Sequence, residues 1–436
     1  MKAFPNDFLW GATLTGHQVE GENFDSDWWR WEQRPGRIHE GSTSQRAAEH
    51  LARFEDDVEL ARTFGHNAML FSIEWSRIQP DQFTFSDAAI EHYGAVLGAL
   101  SDRGIRPVCV LHHVTLPRWF AEEFGWHNHA APKLFEAYVA RVMADLGGLC
   151  HWWIPIREPM HWISMAYFER LWPPGSRNPA RARLCLINMA TAHARAYRLI
   201  HSAQQNAQVG TAIQARRFDA LEEENVWDLR SARREERRCN RLYLDALIEG
   251  RWPLGLRGQS ELKGTLDFIG VSYYGRETVC FALSRPLRFF TQLVDPEGTP
   301  TAPEEYRSHP ESIHTVLSEL TAYGLPILIT GNGLATTDDG IRCRYLLDHL
   351  AEVRRAMGDG VDVRGYFHRS LLDSFEWTRG YSVRYGLFHV DETTKTRTPN
   401  QSAFLYKEFC ESGAVRRGTV AQFCPGWQGE VRTGEL

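Results

Sequence analysis

Residues 327–367 read ILITGNGLATTDDGIRCRYLLDHLAEVRRAMGDGVDVRGYF. Ile327 to Thr330 is a short apolar, β-branched run of the kind that forms a strand buried on both faces. In Gly340 to Met357 the side chains Ile341, Tyr345, Leu346, Leu350, Val353 and Met357 recur at helical spacing and share one face. Asp338 and Asp339, just ahead of it, stand where helix-capping acids stand. Val363 to Phe367 is a second strand-like run. Strand, helix with one apolar face, then strand is the repeating unit of a parallel sheet covered by helices.

The same unit recurs along the whole chain. Strand-like runs occupy Phe8 to Thr13, Ala68 to Ile73, Pro107 to His112, Trp152 to Ile156, Val209 to Ile213 and Phe268 to Tyr273, besides the two above. Helical periodicity marks Arg46 to Phe64, Asp87 to Arg103, Pro132 to Leu149, Leu184 to Gln204, Ser231 to Ile248, Pro310 to Tyr323, Gly340 to Met357 and Asn400 to Glu411. Dividing 436 residues by roughly 150 per domain gives about three domains, but no Ser/Gly linker or low-complexity stretch splits the chain. Strand-then-helix eight times over predicts an α/β fold, one (β/α)8 TIM barrel spanning 1–436, with long strand-end loops at Glu20 to Ser44, Leu116 to Ala131 and Arg276 to Glu311.

Composition removes whole classes of function. The 49 basic and 55 acidic side chains leave a net charge of -6, no global attraction to nucleic acid or an anionic membrane. No run reaches 18 apolar residues, so no segment is expected to cross a bilayer. The basic run Arg233, Arg234, Arg237 and Arg238 interleaves with Glu235 and Glu236 and reads as a solvated helix face. The eight cysteines form no C-x-x-C pair, and with no signal-peptide core behind Lys2 the expected compartment is the cytoplasm. There is no Gly-rich phosphate loop and no metal-ligand cluster, so neither cofactor nor metal is expected. The excess is tryptophan, 15 residues, suited to a core and to stacking on sugar faces. Oligomeric state is not legible.

In this fold the active site is built where the strands end. There the chain carries Gln18-Val19-Glu20, Glu74-Trp75-Ser76-Arg77, His112-His113, Arg157-Glu158-Pro159, Ser272-Tyr273-Tyr274, Gly331-Asn332-Gly333 and Ser374-Phe375-Glu376-Trp377. Polar and aromatic groups at nearly every strand end make a sugar-compatible concavity. Glu158 is its candidate general acid; salt-bridging to Arg157 is the structural alternative. His112 reads as a structural wall histidine, as do Trp28, Trp29 and Trp31 as loop-rim or outer-core residues.

These residues carry a resemblance. FLWGATLTGHQVEG (8–21), FSIEWSRI (71–78), LHHVTLPRWF (111–120), REP (157–159), SYY (272–274), ITGNG (329–333) and SLLDSFEWTRGYSVRYGL (370–387) resemble, in order and spacing, the blocks of glycoside hydrolase family 1, the β-glucosidase family. The resemblance runs from about Phe4 to Phe409 and implies a single barrel and retaining hydrolysis of β-glycosides. Position by position it makes Gln18, His113, Glu376 and Trp377 binders of sugar hydroxyls and Glu158 the acid/base. It makes Arg77 and Tyr274 the pair that holds the nucleophile carboxylate. The nucleophile, Glu in the family's Thr-Glu-Asn-Gly, is Gly331 here.

A retaining glycosidase needs two carboxyl groups about 5–5.5 Å apart, and glycine supplies none. Three more positions depart: Arg157 replaces the family's Asn before the acid/base, Arg369 a Trp, and Ser272 an Asn. Several departures together favour natural divergence over an engineered, nucleophile-less glycosynthase. Losing one carboxylate and gaining two guanidiniums leads to the expectation of a positive pocket, with Arg77 unpartnered and an acidic sugar or an anion as ligand. A cation beside Glu158 should lower its pKa, against what a general acid needs. The expected function is a family 1-like enzyme on a β-glycoside substrate with a non-standard catalytic pair. The alternatives are a non-catalytic sugar-binding pseudoenzyme and the engineered glycosynthase.

Overall fold

Short runs of residues buried on both faces cannot be edge strands or lone hairpins. Their stable arrangement is a closed parallel barrel wrapped by helices. The computed structural model describes residues 3–252, 260–298 and 307–427 and has this form. Strands β1 (Leu9–Leu14), β2 (Ala68–Ser72), β3 (Arg106–Val110), β4 (Trp152–Ile154), β5 (Gln208–Ala220) and β6 (Phe268–Phe281) run in order. After a short strand β7 (Thr291–Val294) come β8 (Ile327–Asn332) and β9 (Val363–His368). Every barrel pairing is parallel: β1 lies between β2 and β9, β5 pairs β6, and β8 lies between β6 and β9.

The strand period of two sorts the side chains into two layers. Leu9, Leu70, Val110, Ile154, Phe268, Leu328 and Phe367 point into the barrel and fill it. Trp10, Met69, Cys109, Trp153, Ile269, Ile329 and Tyr366 point outward into the larger core under the helices. Each buried apolar side chain of this size contributes about 1.5–3 kcal/mol. The predicted helix at 340–357 is Asp339–Gly358, with Asp338 accepting the Gly340 and Ile341 amides at 2.9 and 3.2 Å. Asp338 and Asp339 are thus spent on the cap and on Ser402 and Arg342.

Some boundaries differ from the sequence expectation. The segment from Arg276 begins as strand, since β5 and β6 continue together past the barrel and β7 folds back antiparallel on β6; 299–306 of that loop lie outside the described residues. The helix expected from Leu184 starts at Pro179, and the one expected over Ser231 to Ile248 starts at Val226 and is broken by a π turn at Arg237–Arg241. Its basic run is a solvated face only in part, with Arg233 and Arg237 exposed and Arg234 and Arg238 half-buried. Glu235 is buried and takes the Arg238 guanidinium, because the β5–β6 extension packs over it. Among the described residues no helix is long and apolar enough to cross a membrane, and no group of three or more His, Cys, Asp or Glu is placed to hold a metal.

The barrel is closed where its first and last strands meet, and Tyr406 spans that seam. Its buried hydroxyl donates to Gly11 O on β1 at 2.7 Å and Tyr366 O on β9 at 3.1 Å. Tyr406→Phe removes this donor without changing the packing and is expected to lower unfolding stability by about 1–2 kcal/mol, read as a shift of the urea midpoint at constant m-value.

Candidate active site

At the C-terminal mouth of the barrel, Gln18, His113, Arg157, Glu158, Tyr274, Arg369, Glu376 and Trp377 line one pocket. Eight of the ten expected site residues therefore meet. Gly331 is not in that lining but lies next to Tyr274 and Arg157, which are, and Arg77 is elsewhere. Strand ends deliver Gln18, His113 and Tyr274, while Glu158 needs a strained backbone. Its φ of 54° is left-handed, a conformation that costs a residue with a Cβ of order 1–3 kcal/mol. The cost is met by the Glu158 N–H donating to Ala212 O at 2.7 Å and by the helix Pro159–Ile163 that starts there.

The environment of Gly331 decides the chemistry. A Cβ at this position would lie 2.9 Å from the Tyr274 hydroxyl, 3.1 Å from Arg157 Nη2 and 3.3 Å from Ser272 Oγ. Arg157 Nη2 donates to the Thr330 carbonyl at 3.0 Å, and Arg157 Nε lies 3.3 Å from Glu158 Oε1. A guanidinium thus fills the space directly above Gly331, where the resemblance put the nucleophile carboxylate. Tyr274 borders that space as expected; Arg77 does not.

Arg77 is the clear correction. Instead of being left without a partner, it pairs with Glu20 (Nε to Oε2, 2.7 Å), which also accepts the Tyr93 hydroxyl at 3.0 Å. The expectation of a positive pocket falls with it. Arg369 donates to Glu376 Oε2 at 2.5 Å and lies over the rings of Tyr385 and Tyr274, 4.4 and 5.1 Å from their centroids. Ser374 donates to the other Glu376 oxygen at 2.7 Å. Arg157 with Glu158 and Arg369 with Glu376 balance the pocket charge for charge.

Protonation follows from these contacts. Burial alone would raise the Glu158 carboxyl, but the Arg157 guanidinium, helped by His113 and His161, outweighs it and holds Glu158 well below 4.5. Burial, reinforced by the charge of Arg157, pushes His113 down to about 4, leaving a neutral imidazole 3.9 Å from Glu158 Oε2. Gln18 donates to Phe375 O at 2.9 Å. Trp377 lies parallel to His17, centroids 5.9 Å apart, and packs on Trp28 and Trp172. His112 is a buried wall residue against Trp126.

Among the pocket residues that the sequence reading missed are His161, Gln214 and Trp172. Gln214 follows the fifth strand-like run and was legible as a strand-end residue. His161 lies one helical turn past Glu158. Trp172 sits in a connecting segment without a local signal. Arg216 Nη2 donates to His161 Nδ1 at 2.9 Å and to Gln214 Oε1 at 2.5 Å, while its Nη1 is 3.1 Å from Glu277. A guanidinium only donates, so His161 Nδ1 accepts and a neutral His161 carries its proton on Nε2. The inner cavity among these groups measures about 20 Å³, the size of one or two waters. A second cavity of about 200 Å³, between Gly333 and Tyr385, shares Arg369, Glu376 and Trp377 with it.

The glycosyl hydrolase family 1 model matches residues 1–414. The chain is 28% identical to a β-galactosidase of Pyrococcus woesei over 95% of its own length and 98% of that protein's, and 28% identical to β-glucosidase A of Acetivibrio thermocellus over 93% and 97%. Among solved structures, a β-glycosidase from Pyrococcus horikoshii is 32% identical and superposes with a TM-score of 0.89, covering 97% of this chain and 98% of that one. The family 1 β-glucosidase from Thermotoga maritima is 28% identical with a TM-score of 0.88, covering 94% and 99%.

Placement of Arg157 over Gly331 is testable by a double-mutant cycle. Gly331→Ala in the natural background inserts a methyl at 2.9–3.3 Å from three polar atoms and is expected to cost about 1–3 kcal/mol. In an Arg157→Ala background the same change should cost at least about 1 kcal/mol less. Urea unfolding of the four proteins gives the coupling.

Proposed function

Because the chain belongs to glycosyl hydrolase family 1, by lineage the O-glycosyl hydrolases, we propose that its barrel mouth takes a β-glycoside and no longer opens it by double displacement. The observation that carries this reading is the Arg157 guanidinium in the space above Gly331. Double displacement needs a carboxylate to attack the anomeric carbon and a second carboxyl group to protonate the leaving oxygen. The first is absent at Gly331, and the second, Glu158, is held ionised by Arg157. The remaining pocket carboxylate, Glu376, is engaged by Arg369 and Ser374, which leaves no obvious acid and base for an inverting route.

The sugar-binding side is better preserved. Gln18, His113, Glu376 and Trp377 still gather on one wall. A sugar seated in the outer cavity would meet Trp377, Glu376 and Arg369 and rest above the Arg157–Glu158 pair. The matched charges support a neutral β-glucoside or β-galactoside over the uronate, sulfated or phosphorylated sugar, or phosphate, that charge counting alone suggested. An anion would have to displace Glu158 or Glu376 from its guanidinium, exchanging one ion pair for another with no net gain.

Filling of the space above Gly331 supports natural divergence over a nucleophile removed by hand, since truncating one side chain in a working site would not supply a guanidinium to replace it. The eight cysteines are all unpaired, which supports a reducing compartment such as the cytoplasm.

Calorimetric titration with methyl β-glucoside and methyl β-galactoside, run beside a turnover assay on aryl β-glycosides and their uronate and 6-phosphate analogues, with and without phosphate, tests the reading. Binding of the neutral glycosides and no turnover above buffer for any substrate is the expected result. Product formation that Glu158→Gln abolishes would overturn it, as would tighter binding of the anionic analogues.

A further inference from the structure

A cavity of about 540 Å³ lies beside the barrel mouth, between the short helix Asp27–Glu32, the segment Leu116 to His127 after β3, and the segment Trp162 to Arg181 after β4. That volume is within the roughly 300–1,000 Å³ of small-molecule sites, and far above the 20 Å³ beside Glu158. Trp172 lines the mouth pocket while Pro173 and Pro174 line this one, and the two spaces share no lining residue.

The surface this cavity offers a ligand is charged rather than aromatic. Trp31 and Trp126 are 2% and 0% exposed. Arg34 and Arg37 lie over the Trp31 ring, 5.2 and 4.1 Å from its centroid, so guanidinium covers the indole. Arg30, Arg34, Arg118, Arg181, Glu122 and Glu123 are exposed parts of the lining, and its accessible apolar surface comes from Ala121, Phe124 and Pro174.

These charges do not cancel. Arg30 is paired with Glu122, and Arg118 lies 3.9 Å from Asp25. Arg34 and Arg181 come from different walls, and among the described residues neither side chain has an acceptor. The Asp27 carboxyl accepts the Leu116 amide at 2.9 Å, and burial pushes it up to about 7 against the pull of the neighbouring backbone amides. At pH 6 it is mostly protonated and balances neither arginine. Glu123 is the remaining acid of the lining and is itself unpaired among the described residues. Two unanswered guanidiniums therefore stand against one carboxylate.

Local structure adds to the imbalance. Arg181 is in the first turn of the helix Pro179–Ala203, which carries no acid there. The N-terminal end of a helix is already the positive end of its dipole. Asn178 caps it by accepting the Arg181 amide at 3.0 Å, a neutral contact that leaves the side-chain charge uncompensated. That charge reaches the wall after β3, since it reinforces burial in holding His127 below its ordinary value. A guanidinium without an acceptor presents a fork of donors that matches a carboxylate or a phosphate with two hydrogen bonds at once.

We infer that this cavity is an anion-binding site, taking an oxyanion held by Arg34 and Arg181 and carried on a small apolar body that rests on Ala121, Phe124 and Pro174. It goes beyond the reading of the barrel mouth and rests on no part of it.

Titration of the full chain with benzoate, benzyl phosphate and benzyl alcohol at pH 6 and low salt tests it. One equivalent of anion is expected, the two acids showing whether carboxylate or phosphate is preferred, with the alcohol at least about tenfold weaker. Arg34→Ala and Arg181→Ala, both at exposed positions, should each weaken the anion by about threefold to tenfold at unchanged melting temperature, and together abolish its binding. Glu123→Gln removes the opposing charge and should tighten binding by about twofold or more. Alcohol bound as tightly as the acids, or no binding of either acid, overturns the inference. Anion binding that survives the double arginine variant also overturns it, and its loss in Arg369→Ala would then put the anion at the mouth. The neutral glycosides that test the mouth reading are untouched by any of these results.

Discussion

A guanidinium buried beside a carboxylate, over a glycine, is the arrangement on which the rest of this site depends. Arg157 is 4% and Glu158 6% exposed. Removing two charges from water costs several kcal/mol each unless each finds a partner and the remaining donors find acceptors. Here the Thr330 carbonyl takes one Arg157 donor, and Arg157 Nε and Glu158 Oε1 face each other at 3.3 Å as an ion pair without a hydrogen bond. Any residue but glycine at 331 would place a Cβ within about 3 Å of that guanidinium and of Tyr274. The glycine and the arginine therefore fit as a pair: one makes the space, and the other fills it with positive charge. Removing either partner alone leaves the other strained or uncompensated.

The same matching repeats around the pocket. Arg369 is answered by Glu376, and Arg77 by Glu20. Arg216 holds Glu277 on one side and sets the hydrogen-bonding faces of His161 and Gln214 on the other. A site built to cleave a glycosidic bond keeps one carboxyl poised to give a proton and another poised to attack. In this chain Glu158 is drawn into an ion pair with Arg157 and position 331 has no side chain, while the residues that the resemblance assigns to sugar hydroxyls line the same pocket.

Much of this is legible in the sequence. Continuous apolar runs alternating with 3.6-period helices indicate a parallel sheet covered by helices on both faces, and eight such units in one chain indicate a closed barrel. Strand ends then point to the pocket, and the family resemblance puts Gly331 at the position of the attacking carboxylate. Directions of long side chains were not legible. Arg157 reaches the carbonyl of Thr330, 173 residues away, and Arg77 turns to Glu20, 57 residues back; a count of charges by position cannot pair them. For this reason charge arithmetic suggested a positive pocket where the structure has a balanced one. The outer extension of β5 and β6 was hidden for a different reason, since beyond the barrel those strands carry charged residues such as Arg216, Arg217, Arg276 and Glu277 instead of an apolar run.

The central claim is that every carboxylate of the mouth is held by a guanidinium or absent, so that none attacks a sugar. Intact-protein mass spectrometry after prolonged incubation with an activated 2-deoxy-2-fluoro-β-glucoside measures this directly, since the fluorine slows breakdown of any covalent glycosyl-enzyme. The account predicts an unmodified chain mass. A stoichiometric increment of one fluoroglucosyl group, mapping to Glu158 or Glu376, would contradict it.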